Sequence, residues 1–299
     1  MDRNKITISV PGKLLLFGEH AVVYGHSCVS STVNQRLQVT VEINREKDQL
    51  DIPQKTDTRF LLSALEIFRS RYNINTFVTV TTGDQLTGYG LGSSSAVTVG
   101  VIRGLAELFG IKLSHEELFD LAYQAILKIQ KIASGFDVAT SVWGGTILFD
   151  GQTKSVQTIS SVQLPIMVIY SGKKADTVKL VRQVAEFIKR NPEQITGLFS
   201  QIQSCVSDGA DAVRTNDWKK LGETMTENHH LLQKLQVSTP KINSLVEEAI
   251  SAGAYGAKLS GAGGGDCVIA LVSDRDRKRI SDAVTKVGGI VLDLAVGIP

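Results

Sequence analysis

Cysteine and proline are both scarce in this chain. Cys28, Cys205 and Cys267 are odd in number, widely spaced and include no CxxC pair. That excludes a disulfide framework and argues against a zinc site, so a reducing cytoplasm is the expected location. No stretch approaches the roughly 18–20 consecutive apolar residues that a membrane span needs. The opening MDRNKITISVPGK is too polar for a signal peptide, so no membrane partner is expected. Excess charge is also lacking. A formal net charge of +2 argues against a general nucleic-acid binder. It leaves room for a phosphate-binding enzyme, which needs only a local positive field. There is no internal repeat at a fixed period and no low-complexity tract.

What is present is a core and a surplus of glycine. Hydrophobic residues make up 42% of the 299 positions, and six prolines stand against 27 glycines. Ile6–Val10 alternates apolar and polar residues and is broken by Pro11-Gly12, which predicts a strand feeding a turn. Leu37–Ile43 and Phe77–Thr82 predict further strands. Helical spacing covers Arg59–Arg71, Ser93–Phe109 and His115–Ile132, the last with Ser114 as N-cap and Glu117 closing a capping box. A short strand is expected at Thr146–Phe149. After a polar stretch near residue 160, which marks a domain boundary, IMVIY at Ile166–Tyr170 predicts a buried strand. Helices then run from Thr177 to Ala252, interrupted near Asn191-Pro192 and Ser238-Thr239-Pro240. Ala257–Ser260 and Val268–Val272 predict strands, Arg275–Val287 a helix and Ile290–Leu294 a last strand. Trp143 and Trp218 are expected in the core. His115, His229 and His230 are expected on helices, as surface or packing residues.

Three glycine-bearing segments carry candidate chemistry. The middle one, Thr87-Gly88-Tyr89-Gly90-Leu91-Gly92-Ser93-Ser94, lies between a strand and a helix. Glycines let backbone amides approach an anion, and the helix start offers free N–H groups and partial positive charge. Ser93 and Ser94 add hydroxyls there, and a serine in that place can ligate Mg²⁺. The segment is neither a Walker A loop nor a Rossmann fingerprint; the alternative is a serine-capped turn. The first segment, Pro11 to Gly25, holds Lys13 and Glu19-His20, each also readable as an ordinary turn residue. The third, Lys258-Leu259-Ser260-Gly261-Ala262-Gly263-Gly264-Gly265-Asp266-Cys267, has too many glycines for a simple hairpin. A backbone approaching a phosphate or another loop accounts for the excess, and a flexible loop is the alternative.

In this order the three segments resemble the signature of the GHMP kinases over nearly the whole chain. PGKLLLFGEHAVVYG is most similar to the mevalonate kinase branch, as are Asn228-His229-His230-Leu231-Leu232 and Gly256-Ala257-Lys258-Leu259-Ser260. The resemblance implies an α+β fold of two lobes: an N-terminal lobe like domain 2 of ribosomal protein S5 (residues 1–160) and a ferredoxin-like C-terminal lobe with extra helices (161–299). It implies an ATP-dependent small-molecule kinase of isoprenoid precursor biosynthesis, phosphorylating the 5-hydroxyl of mevalonate, with Mg²⁺ as cofactor and a homodimer as its assembly. Alternatives are phosphomevalonate kinase or another kinase of the family, and a catalytically inactive binder of metabolite or ATP.

The same resemblance implies site residues. Asp137, in Ser134–Ser141, becomes the base facing the acceptor hydroxyl, with the Lys13 ammonium beside it to polarise that hydroxyl. Taken locally, Asp137 reads as a turn carboxylate or helix cap. Lys13, Glu19, His20 and Asp137 are expected around the substrate. Gly88, Tyr89, Gly90, Leu91, Gly92, Ser93, Ser94, Gly261, Ala262 and Gly263 are expected around ATP, with Ser94 on the metal. The chain departs from the family where a second, glutamate metal ligand usually stands: that position is Ile126. Asp266 replaces the last glycine of the third segment. Lys128, Lys173 and Lys174 are unassigned cations whose default role is solvation.

Overall fold

The alternation Ile6, Ile8, Val10 followed by the apolar run Leu14–Phe17 builds one long strand, β1 (Lys5–Phe17). The computed structural model describes residues 4–54, 56–83, 86 and 88–298. In it β1 pairs antiparallel along β2 (Cys28–Asn44). The turn expected at Pro11-Gly12 is a register shift inside this strand. Pro11 lies opposite Arg36 and Gly12 opposite Val33, so the partner strand carries the surplus residues. Gly12 serves close approach instead of a turn: a Cβ there would lie 2.8 Å from Leu86 Cδ2 and 3.2 Å from the Leu91 carbonyl.

The other edge of β2 is shared. Its far half pairs with β4 (Phe77–Thr82) and its near half with β5 (Thr146–Phe149). Outside these lie β3 (Gln49–Asp51), parallel to β4, and β6 (Val156–Ser160), antiparallel to β5. Four helices belong to this half: α1 (Thr58–Tyr72), α2 (Ser93–Leu108), α3 (His115–Gln130) and α4 (Phe136–Trp143); α2 and α4 lie on the sheet, and α1 and α3 pack against α2. α2 carries almost no polarity between Ser95 and Ala106 and sinks onto β1 and β2. α3 begins with the expected box: Ser114 Oγ accepts from Glu117 N and the Glu117 carboxylate accepts from Ser114 N.

A second sheet follows, starting at β7 (Ile166–Tyr170). The chain then runs through α5 (Thr177–Arg190), α6 (Pro192–Thr215), α7 (Trp218–Lys234) and α8 (Pro240–Ser251). The break between α6 and α7 was not expected; Asn216 takes a left-handed conformation there and Asp217 caps α7 through Lys220 N. β8 (Gly256–Ser260), β9 (Cys267–Leu271), α9 (Arg277–Lys286) and β10 (Ile290–Leu292) complete the half. The sheet order is β10-β7-β9-β8, all antiparallel, with β8 at one edge.

The last residues return to the first half. Val296 bridges both Val33 and Leu164, and Asn34 exchanges hydrogen bonds with Ala295. Trp143 and Trp218 are half-buried, packed against the core instead of inside it. No helix among the described residues is long and apolar enough to cross a membrane.

Candidate active site

β1 points Lys13 inward and α4 begins with Asp137 in its first turn, after Gly135 has taken a left-handed conformation. Lys13 Nζ lies 2.7 Å from Asp137 Oδ1 and 5.1 Å over the centre of the Phe136 ring. The contact is an ion pair whose alignment falls short of hydrogen-bond geometry. The Lys13 side chain is 10% exposed and that of Asp137 37%. Since Oδ1 itself is sealed off, the open part of the carboxylate is its other side. A carboxylate open on one side and held by an ammonium on the other suits proton transfer from a bound hydroxyl.

The glycine-rich loop closes over the same lysine. Lys13 N–H donates to Leu91 O at 2.9 Å, and Lys13 Nζ reaches Gly90 O at 3.5 Å. Gly88, Gly90 and Gly92 all have positive φ. Gly92 is the N-cap of α2, so the loop delivers its amides and the free N–H groups of the helix start together. Ser93 is exposed and Ser94 half-buried at that start. Residues 84, 85 and 87 of the predicted turn lie outside the described residues. The loop is anchored from behind: Cys267 Sγ donates to Tyr89 O, and the Tyr89 ring meets Tyr170 edge-on at 5.1 Å.

The third segment lands on the other two. His20 Nε2 donates to Ala262 O at 2.9 Å, and Ser260 Oγ donates to Leu15 O at 2.8 Å. Asp266, the departure from glycine, keeps the left-handed backbone at φ 53. Its Oδ1 accepts from Ala175 N at 3.0 Å, and its other oxygen abuts Gly90. Burial raises its carboxyl pKa from the ordinary aspartate value.

Beneath the site, Glu19 and Lys258 form an ion pair with no solvent exposure on either side chain. Lys258 Nζ also donates to Leu259 O at 2.6 Å. Burial pushes the Glu19 carboxyl up and the Lys258 ammonium down, while their mutual attraction opposes both. Glu19, expected around the substrate, has no accessible surface and meets Lys258; it joins the two halves of the chain. His20 is likewise buried against the third loop, and burial lowers its pKa.

The structure thus brings Lys13, Asp137, Gly88–Ser94 and Gly261–Gly263 into one neighbourhood. Of the unassigned cations, Lys128 lies outside it, paired with Glu66 on the surface. Lys173 and Lys174 have exposed side chains but border the third segment, where Asp266 N–H donates to Lys173 O at 2.7 Å. Ile126 is buried in the apolar core, so α3 offers no carboxylate at that position. Among the described residues no group of three or more His, Cys, Asp or Glu is placed to hold a metal. The hard oxygens available are the Ser94 hydroxyl and the open side of Asp137, a sparse set that suits an ion retaining waters and phosphate oxygens, as Mg²⁺ does. Sequence reasoning missed the roles of Lys258, Phe136 and Asp266. The signal for Lys258 was a lone charge in the otherwise apolar or small GAKLS strand.

A cleft of about 360 Å³ adjoins the loop at Tyr89, with Asn34, Gln35 and residues 292–294 as its other walls. A wider one, about 620 Å³, lies on the outer side of α1 at Leu62, Glu66, Arg69 and Phe77, away from Lys13, Asp137 and the glycine loops.

Residues 59–145 match the GHMP kinases N terminal domain, and residues 210–290 match GHMP kinases C terminal. The chain is similar to the mevalonate kinase of Pyrococcus furiosus, with 32% identity covering 95% of this chain and 94% of the relative. It is also similar to that of Archaeoglobus fulgidus, with 33% identity covering 88% and 91%. Among solved structures, the L. major mevalonate kinase in complex with R-mevalonate superposes with a TM-score of 0.85 at 26% identity, covering 99% of this chain and 97% of that one.

Proposed function

The chain belongs to the GHMP kinases, and on that footing we propose that it transfers the γ-phosphoryl group of ATP to the 5-hydroxyl of mevalonate. The observation that carries the chemistry is the Lys13–Asp137 pair lying under the glycine loop. Phosphoryl transfer asks a protein mainly for positioning and charge neutralisation. The amides of Gly88–Ser94 and the start of α2 take the phosphates, and Gly261–Gly263 closes on them from the other half. The base of the nucleotide lies in the cleft at Tyr89, Asn34 and Leu294.

The acceptor hydroxyl docks on the open side of Asp137. As its oxygen bonds to the γ-phosphorus, the proton passes to the Asp137 carboxylate and the bond to the bridging oxygen breaks, releasing ADP. Lys13, fixed by Asp137 and by the Phe136 face, neutralises charge gathering on the transferred group. The Ser94 hydroxyl, with the Asp137 carboxylate, would hold Mg²⁺, which would supply further charge neutralisation at the phosphates. Residues 1–160 serve as the nucleotide-binding domain and 161–299 as its C-terminal partner.

An ADP-release assay with mevalonate and phosphomevalonate side by side tests this reading. Turnover with mevalonate is expected. Turnover with phosphomevalonate alone moves the chain to that activity, and ATP binding with no acceptor-dependent ADP release makes it a binding protein.

A further inference from the structure

β8 runs straight into the Gly261–Gly263 loop, yet it is an edge strand whose outer backbone groups have no neighbouring strand among the described residues. Such groups need other partners when buried. At Leu259 both are supplied by side chains. Its carbonyl accepts from Lys258 Nζ, the partner of Glu19. Its N–H donates to Nδ1 of His229 at 3.3 Å.

His229 sits on α7 and is buried. Because Nδ1 accepts from a backbone N–H, the ring proton is on Nε2, which donates to Asn243 Oδ1 at 3.2 Å. That same oxygen accepts from Ser238 Oγ at 2.6 Å, which holds the amide in place. The Ser238 stretch in turn borders the third loop: Gly264 N–H donates to Val237 O at 2.8 Å. One neutral imidazole therefore bridges α7, α8 and the last strand before the loop. Burial keeps it neutral, with a pKa of about 4.

We infer that His229 is a positioning residue for phosphoryl transfer: through Nδ1 it fixes the Leu259 backbone, and with it the start of the Gly261–Gly263 loop and the Lys258–Glu19 pair. The inference rests on the function proposed above and adds to it a residue that touches no reactant.

Two conservative variants separate this role from simple packing. In His229→Asn the side-chain amide reaches the position of Nδ1 and still accepts from Leu259 N–H, but gives up Asn243. In His229→Gln the amide reaches the position of Nε2 and keeps Asn243, but gives up Leu259. Each loses one buried hydrogen bond, so both are expected to melt at similarly reduced temperatures. The loss of kcat is expected in the glutamine variant alone, about tenfold, with a raised KM for ATP, while the asparagine variant stays within about threefold.

Equal kcat in the two variants, or a glutamine variant with full turnover, overturns the inference. Where neither variant folds, amide exchange in the unaltered protein decides: the Leu259 N–H is expected to be as protected as the amides of β9, and fast exchange there overturns it. Failure of the unaltered chain to turn over mevalonate strikes the proposed function; variants that behave alike in an active enzyme strike only the role of His229.

Discussion

Lys13 Nζ and Asp137 Oδ1 lie 2.7 Å apart, although β1 carries one and the start of α4 the other. The lysine is enclosed by the Phe136 ring and the Gly90–Gly92 backbone, while the aspartate keeps one side open. The open side of the carboxylate is therefore where the proposed acceptor hydroxyl would dock, beside the ammonium. The remaining features of the site hold this pair under the glycine-rich loop.

Gly92 is the most exacting contact around Lys13. Its φ is +82°, and a Cβ there would lie 2.8 Å from Lys13 Cε and 2.9 Å from Lys13 Cγ. Gly92→Ala is expected to lose about 1–2 kcal/mol of stability from the left-handed backbone. It is also expected to lose at least about tenfold in kcat, because the lysine must move off Asp137. Gly110→Ala provides the control: its φ is +68° and nothing lies within 4 Å of the added carbon. Thermal melts and steady-state rates on both variants check this. Equal kcat in the two would show that Lys13 does not depend on the loop.

The Glu19–Lys258 pair predicts strong coupling. Lys258→Met alone leaves a buried carboxylate without its partner and is expected to cost about 3–5 kcal/mol. The double variant Glu19→Gln, Lys258→Met removes both charges and is expected to recover most of that loss. Urea titrations of the two single variants and the double close the cycle. Losses that simply add would mean the two groups act independently.

Stability is expected to fall in mild acid through His229. Its ordinary pKa is 6.5 and burial lowers it to about 4 in the folded chain. The depressed value means the folded state resists protonation. This contribution is complete above about pH 6.5 and is lost as the pH drops to about 4. A gap of about 2.5 pH units corresponds to about 3 kcal/mol. His20, whose pKa burial also lowers, adds loss in the same direction. Urea midpoints at pH 7.5, 5.5 and 4.5 should decline less steeply in His229→Gln than in the unaltered protein. Parallel curves would contradict the assignment of a buried neutral ring.

Much of the fold was legible because its elements follow simple periods. The Ser114–Glu117 box and the α2 start at Ser93 were readable from residue type and spacing. Pro11-Gly12 misled, since both residues signal a turn locally while the sheet absorbs them as a register shift. The stop at Asn216 carried neither proline nor glycine, so helical spacing ran through it. The site was less legible. Asp137 stood out only through family resemblance, because one carboxylate after a glycine is an ordinary helix start. Glu19 with Lys258, across the two halves, and His229 with Leu259, within the second, are pairs made by topology, and no local pattern encodes a partner so distant in sequence.

The most direct test is the turnover of Asp137→Asn with ATP and mevalonate. The amide keeps the shape of the carboxylate but cannot take the proton. A fall in kcat of about 10²–10⁴ is expected, in a variant that still folds but melts at a lower temperature because the Lys13 ammonium loses its partner. A variant that folds and turns over at the rate of the unaltered protein would contradict the role given to the Lys13–Asp137 pair.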